Sequence, residues 1–321
     1  MVEKKNIKCV RKTYVGAFYD TFLIYLTASS EKPKLYYLRI MKKTSIIKYE
    51  EEKLIQYEYF VRNKLRHPNL INVLYSFQDY DNLFYISEFA GTNLVQFLKL
   101  RILFSKNVSM FYIAETILGI QYMHKNGHTF GFICPKTVWL SRAGHIKLRF
   151  DFLNAIEEKN GINDYIEYTS PEYILKREFT EASDYWGMGI LLYYMLTGYT
   201  PFYSENREKI IYKVLNEEIT FPPTIDETTK DLLLKMLDKD PKKRIVGEEI
   251  KQHPFFKSID WTKLENQKAE PPFFFDGINY EEIVCADLDF LYTTDFYPGQ
   301  KDGYGNVFRY FGKVDTQNPY L

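Results

Sequence analysis

Apolar positions along this chain follow one spacing early and another later. From residue 14 to 41 they alternate with polar residues or sit in short aromatic and β-branched blocks, TYVGAF, DTFLIYLTA and LYYLRIM, with the turn-forming run SSEKPK between the last two. Strands are predicted there, because successive side chains of a strand face opposite sides. Between Lys48 and Leu65 the spacing becomes helical, opening on the charged run KYEEEK. VLYSFQDYDNLFYISEF returns to the strand pattern as a hairpin with its turn at Asp79 to Asn82. Past Phe89 helices are predicted at NLVQFLKL, VSMFYIAETILGIQYMHKNG, SDYWGMGILLYYML and TTKDLLLKMLD. Strands followed by helices imply two packed sublobes of different class, an α+β architecture. From about Lys263 the periodicity fades, and a stretch of this length is expected to wrap a surface.

Composition narrows the picture modestly. The 321 residues suffice for one large two-lobed unit or two ordinary domains. Lysine plus arginine number 42, as do aspartate plus glutamate, so charge gives no reason to expect nucleic acid or a membrane as partner. Cys9, Cys134 and Cys285 are far apart and lack metal-ligand spacing, which fits a reducing compartment. The first residues carry no apolar signal region and no apolar run approaches a membrane span, so cytoplasm or nucleus is the expected location. The 28 tyrosines and 25 phenylalanines mean that rings must fill many positions smaller residues could occupy.

The order of several segments resembles the protein kinase superfamily, specifically the AGC group that contains the cAMP-dependent protein kinase catalytic subunit. YYLRIMKK looks like the third strand with its lysine motif, and FVRNKLRHPNL like the end of helix C. GHIKL followed by DFL is similar to the approach to the DFG motif, and YIEYTSPEY to the TPEYLAPE block. SDYWGMGILLYYMLTGYTPF matches the helix F signature, LDKDPKKRI with HPFF the end of the large lobe, and AEPPFFF with VFRYF the AGC tail. The resemblance implies a two-lobed protein kinase-like fold: a β-rich small lobe with helix C over residues 1–89, a helical large lobe over 90–262, and an AGC-like tail over 263–321 packed on the lobes.

Phosphoryl transfer in this family needs a glycine-rich phosphate cradle, a lysine held by a glutamate, two metal ligands and an acid that orients the acceptor hydroxyl. The three cradle glycines fall on Tyr14, Gly16 and Tyr19. The family lysine falls on Arg39 and its glutamate on Glu58, a pairing expected to be structural. The catalytic loop HTFGFICPKTVWL puts Gly131 at the arginine, Phe132 at the base and Thr137 at the metal-binding asparagine, and no aspartate occurs from Asn82 through Phe150. Phenylalanine accepts no proton. Asp151 or Phe150 takes the other metal-ligand position, depending on a one-residue insertion, and Tyr37 and Trp139 stand where the family holds the adenine ring.

The acids that read basic residues in AGC substrates fall on Asn93, Lys136 and Tyr194, and residues 152–168 contain no serine or threonine for activation by phosphorylation. By contrast Glu172 and Arg244 match a structural ion pair, Asp184 matches the aspartate that holds the loop backbone, and Phe308 and Phe311 match the docking pair of the tail. These substitutions lead to the expectation of no catalytic residue, no metal and no enzyme: a pseudokinase acting as a binding or allosteric scaffold for an unidentified protein partner, with neither ATP nor magnesium as cofactor. The alternative is a residual serine/threonine protein kinase that transfers phosphate from ATP to protein, using both.

Overall fold

A computed structural model describes residues 7–16, 18–26, 34–95, 103–150, 165–273, 304 and 307–312. They fall into two compact units, one within Met1–Arg66, Ile71–Phe89 and Asp276–Leu321, the other within His67–Leu70 and Ala90–Phe275. Together they give the α+β, two-lobed protein kinase fold: an antiparallel five-stranded sheet in the small unit and a larger helical unit.

The small unit is built from β1 (Ile7–Val15), β2 (Tyr19–Leu26), β3 (Leu35–Lys42), β4 (Val73–Gln78) and β5 (Asn82–Glu88), in the order β1-β2-β3-β5-β4. Between β3 and β4 run two helices, α1 (Lys43–Lys48) and α2 (Glu52–Lys64). Alternation divides the sheet's faces. Ile7, Phe22, Ile24, Leu38, Ile40, Phe84 and Ile86 form one apolar cluster, while Arg39, opposite Thr21 on β2 and Tyr85 on β5, belongs to the other face. The hairpin turn is fixed by Asp79, whose Oδ1 accepts from the amides of Asp81 and Asn82.

Two element boundaries differ from those read in the sequence. β1 begins at Ile7 rather than near residue 14. It is an edge strand with register shifts between Cys9 and Arg11 and between Lys12 and Tyr14, and such bulges break the two-residue alternation that would reveal it. The helical period read from Lys48 to Leu65 corresponds to α2 alone, while α1 precedes it and was not read; the chain turns between the two helices at Tyr49 and Glu50, the latter at φ 57°.

In the large unit the short strands β6 (Thr92–Asn93), β7 (Val138–Leu140) and β8 (Ile146–Leu148) pair in that order. Its helices are α3 (Lys106–Lys125), α4 (Pro171–Lys176), α5 (Glu181–Thr197), α6 (Arg207–Asn216), α7 (Glu227–Met236) and α8 (Trp261–Glu265). α5 is buried along most of its length and packs against α3 and α7, as a helix apolar on all sides must. It starts at a capping box between Thr180 and Ser183 and ends at Gly198 in the left-handed region. At Gly187 an added Cβ would lie 3.2 Å from the Ile133 carbonyl, so this glycine lets the 128–137 loop sit directly on α5. Of the tail read over 263–321, residues 263–273 lie in the large unit, whereas 304 and 307–312 lie in the small one. Among the described residues no helix is long and apolar enough to cross a membrane.

Candidate active site

In the small unit, β3 brings Arg39 and α2 brings Glu58 into a buried ion pair, Nη1 to Oε1 at 3.0 Å. Their side chains are only 5% and 0% exposed, so neither charge is offset by water. Arg62, one turn further along α2, reaches the same Oε1 at 2.9 Å. Each guanidinium also lies over a ring: Arg39 over Tyr19 at 4.6 Å, Arg62 over Tyr85 at 5.0 Å. The Tyr85 hydroxyl is buried, and burial followed by the Glu58 carboxylate pushes its pKa well above the usual tyrosine range.

The tyrosines at two of the three cradle positions are part of this arrangement. The Tyr14 and Tyr19 rings stand 5.0 Å apart, and Gly16 donates its amide to the Tyr19 carbonyl at 2.9 Å. A Cβ at Gly16 would fall 2.6 Å from the Tyr14 ring, so that ring lies directly against the glycine. Tyr37 is half-buried beside Val10, Leu23 and Leu35, with its ring centre 5.3 Å from that of Phe89.

In the large unit the loop 128–137 is held from below by Asp184, in the first turn of α5. Its carboxylate accepts from the amides of Phe130 and Gly131 at 2.8 and 2.7 Å and contacts His124 Nε2 at 2.7 Å. Gly131 has φ 92°, where a side chain is strained, and the Phe179 ring occupies the space beside it. Phe132 is 4% exposed. Its ring meets Phe179 and Tyr173 edge-on at 4.9 and 5.6 Å, and those two stack at 4.1 Å. Glu172 is held bidentately by Arg244, at 2.7 and 3.0 Å, with Ser183 donating to the same carboxylate. Burial pushes the Glu172 carboxyl up, but the hydrogen bonds and charge of Arg244 outweigh it and hold the pKa below the usual range.

The Thr137 hydroxyl lies 2.9 Å from the Phe132 carbonyl and 3.0 Å from the Cys134 carbonyl, and accepts from the Cys134 amide. It closes the loop on itself, so its oxygen does not point outward as a metal ligand. Phe150 is buried with its ring 5.8 Å from Phe130, and Asp151 lies outside the described residues. No group of three or more His, Cys, Asp or Glu residues that could hold a metal occurs among the described residues. Trp139 donates Nε1 to the Lys136 carbonyl at 3.0 Å, and Arg149 lies over its ring at 5.8 Å.

Residues 23–256 match the protein kinase domain family. The chain belongs to that family. It is 34% identical over 83% of its length to a RAC serine/threonine-protein kinase of Drosophila melanogaster and 32% over 83% to the human RAC-beta serine/threonine-protein kinase. It is 28% identical over 93% to cAMP-dependent protein kinase type 3 of Saccharomyces cerevisiae. The matches cover 44%, 56% and 73% of those relatives, so the chain spans about half the length of the RAC kinases. The AGC resemblance read from the motifs is supported by these relatives.

The expectation that the chain is not an enzyme is overturned by these comparisons, since its family and the relatives it matches are protein kinases. The physical reason is that loss of the loop acid does not by itself remove transfer: phosphoryl transfer passes through a loose transition state in which positioning and charge do most of the work. The residue reading also missed Arg62, Tyr85 and Phe179. A positive charge four residues after Glu58 on a helix was the one available signal, for Arg62.

Proposed function

We propose that this chain is a serine/threonine protein kinase that transfers phosphate from ATP to protein hydroxyls, slowly, through a catalytic loop without a carboxylate. The observation that carries this reading is the buried Arg39–Glu58 pair, which keeps a fixed positive charge where the family holds its lysine. Family membership and the similarity to RAC serine/threonine-protein kinases support the reaction class.

In the proposed reaction the acceptor oxygen bonds to the γ-phosphorus as the bond to the β-phosphate oxygen breaks, and ADP leaves. The hydroxyl proton passes to an oxygen of the transferred phosphoryl group, because Phe132 cannot take it. A positioned acid or base contributes about 10²–10⁴-fold, so transfer should run slower than in kinases with a loop carboxylate by about that factor. Two tyrosines in place of cradle glycines predict a high KM for ATP, since the close backbone approach to phosphate is lost.

Purified chain with γ-labelled ATP and magnesium or manganese tests this. The expected product is phosphoserine or phosphothreonine, formed slowly and lost in Arg39→Ala. Absence of label, or label that Arg39→Ala leaves unchanged, contradicts it.

A further inference from the structure

The ring cluster that fills the large unit's loop has a cationic rim. Phe132, Cys134 and Tyr173 are buried together, with Tyr168 and Phe179 packed against them. Lys136, two residues after Cys134, is exposed. Its carbonyl accepts from Trp139 Nε1 at 3.0 Å, which fixes the backbone that presents it. Arg177 ends α4 at φ 59°. It is exposed, with its guanidinium over the Tyr173 ring at 5.5 Å. Lys176, also exposed, precedes it, and the exposed Glu178 that follows offsets one of these charges. All of these residues belong to the large unit.

The three positions that hold substrate-reading acids in the AGC group carry no negative charge here. Asn93, opposite Trp139 in the β6–β7 pair, is neutral. Lys136 reverses the sign. Tyr194, half-buried on α5, has its phenol pushed up by burial and then by the Glu167 carboxylate, so it stays neutral. Glu167 itself, next to Tyr168 in sequence, accepts from the Thr200 hydroxyl. A lysine or arginine brought to this rim meets like charge at Lys136 and Arg177, whereas a carboxylate meets complementary charge. The guanidinium of Arg177 offers a fork that suits a carboxylate.

We propose that the large unit selects acceptor segments with aspartate or glutamate beside the serine or threonine, and that Lys136 and Arg177 are the residues that read them. This names the substrate class of the transfer reaction, and its effect on the rate rests on that reading. The binding preference does not, because it needs only the charges on the rim.

The test uses the full chain and two fluorescein-labelled peptides of equal length, each with one serine, flanked by aspartates in one and by arginines in the other. Fluorescence anisotropy at low salt should show the aspartate peptide binding about tenfold more tightly. The preference should shrink as ionic strength rises. Lys136→Glu combined with Arg177→Glu should reverse the order. Where that pair fails to fold, Lys136→Glu alone should remove a clear part of the preference, since this side chain is exposed. Lys263→Glu, an equal change of charge on α8, should leave the preference as in the parent. Equal binding of the two peptides, tighter binding of the arginine peptide, or a preference that survives the reversal overturns the proposal. So does a Lys263→Glu effect as large as that of Lys136→Glu, which would mark bulk charge. In the transfer assay the aspartate peptide should show the higher kcat/KM, and the double reversal should invert the ratio. If the peptides bind with the expected preference but neither is labelled, the phosphotransfer reading fails and the recognition stands.

Discussion

The two places where family residues have been replaced show different compensation. On the small unit's sheet Arg39, at the position expected for the family lysine, is still a cation, with Tyr19 over its guanidinium and Arg62 as a second cation on Glu58. In the large unit's loop Phe132, at the position expected for the acid, is a ring packed on Tyr173 and Phe179. Yet the loop's own amides, at Phe130 and Gly131, are still satisfied by Asp184. Charge persists where a buried counter-charge would otherwise be stranded, and is lost where packing can replace it.

The most disruptive change should be Phe132→Asp. Removing the ring costs about 3–5 kcal/mol, and the new carboxylate would be buried without a counter-charge, which adds to the loss. Urea unfolding should show the full effect, and a variant as stable as the parent would mean that the loop can open around an acid. Glu58→Ala comes next, at about 3–5 kcal/mol at most, because it leaves two arginines facing an apolar side chain. Arg39→Lys should cost less, since the ammonium keeps the charge but not the fork. Equal melting of Glu58→Ala and parent would end the contrast between the two regions.

A smaller loss is expected for Phe308→Ala, about 3 kcal/mol, the low end for a buried phenylalanine. Dye binding to newly exposed apolar surface would accompany it. An unchanged melting temperature would argue that the seat contributes nothing. The smallest effect concerns pH. Glu172 is held below its usual pKa by Arg244, against the opposing effect of burial. Its contribution is complete above the unfolded value of about 4.3 and is lost as pH falls through the lower folded value. Stability should therefore fall below about pH 4, and the fall should be shallower in Glu172→Gln.

The sequence showed much of the fold because its cues are local. Helical and strand spacing, the Asp79 turn and the apolar length of α5 each lie within a short window. What the site does with its residues was less visible. The charges at positions 39 and 58 can be read directly, but the Tyr14 ring against Gly16 and the Phe179 ring beside Gly131 depend on contacts between segments folded together. Gly131 looks like a lost arginine in the sequence, whereas φ 92° makes it a backbone requirement as well. The loop's missing carboxylate was plain, and its consequence was overdrawn.

The most direct measurement compares phosphate transfer by the parent, Arg39→Ala and Phe132→Asp under identical ATP and metal conditions, each corrected for its folded fraction. The account predicts slow transfer to serine or threonine by the parent, loss in Arg39→Ala, and, per folded molecule of Phe132→Asp, a gain toward the about 10²–10⁴-fold that a positioned acid contributes. No transfer by the parent, or transfer that Arg39→Ala leaves unchanged, would contradict it.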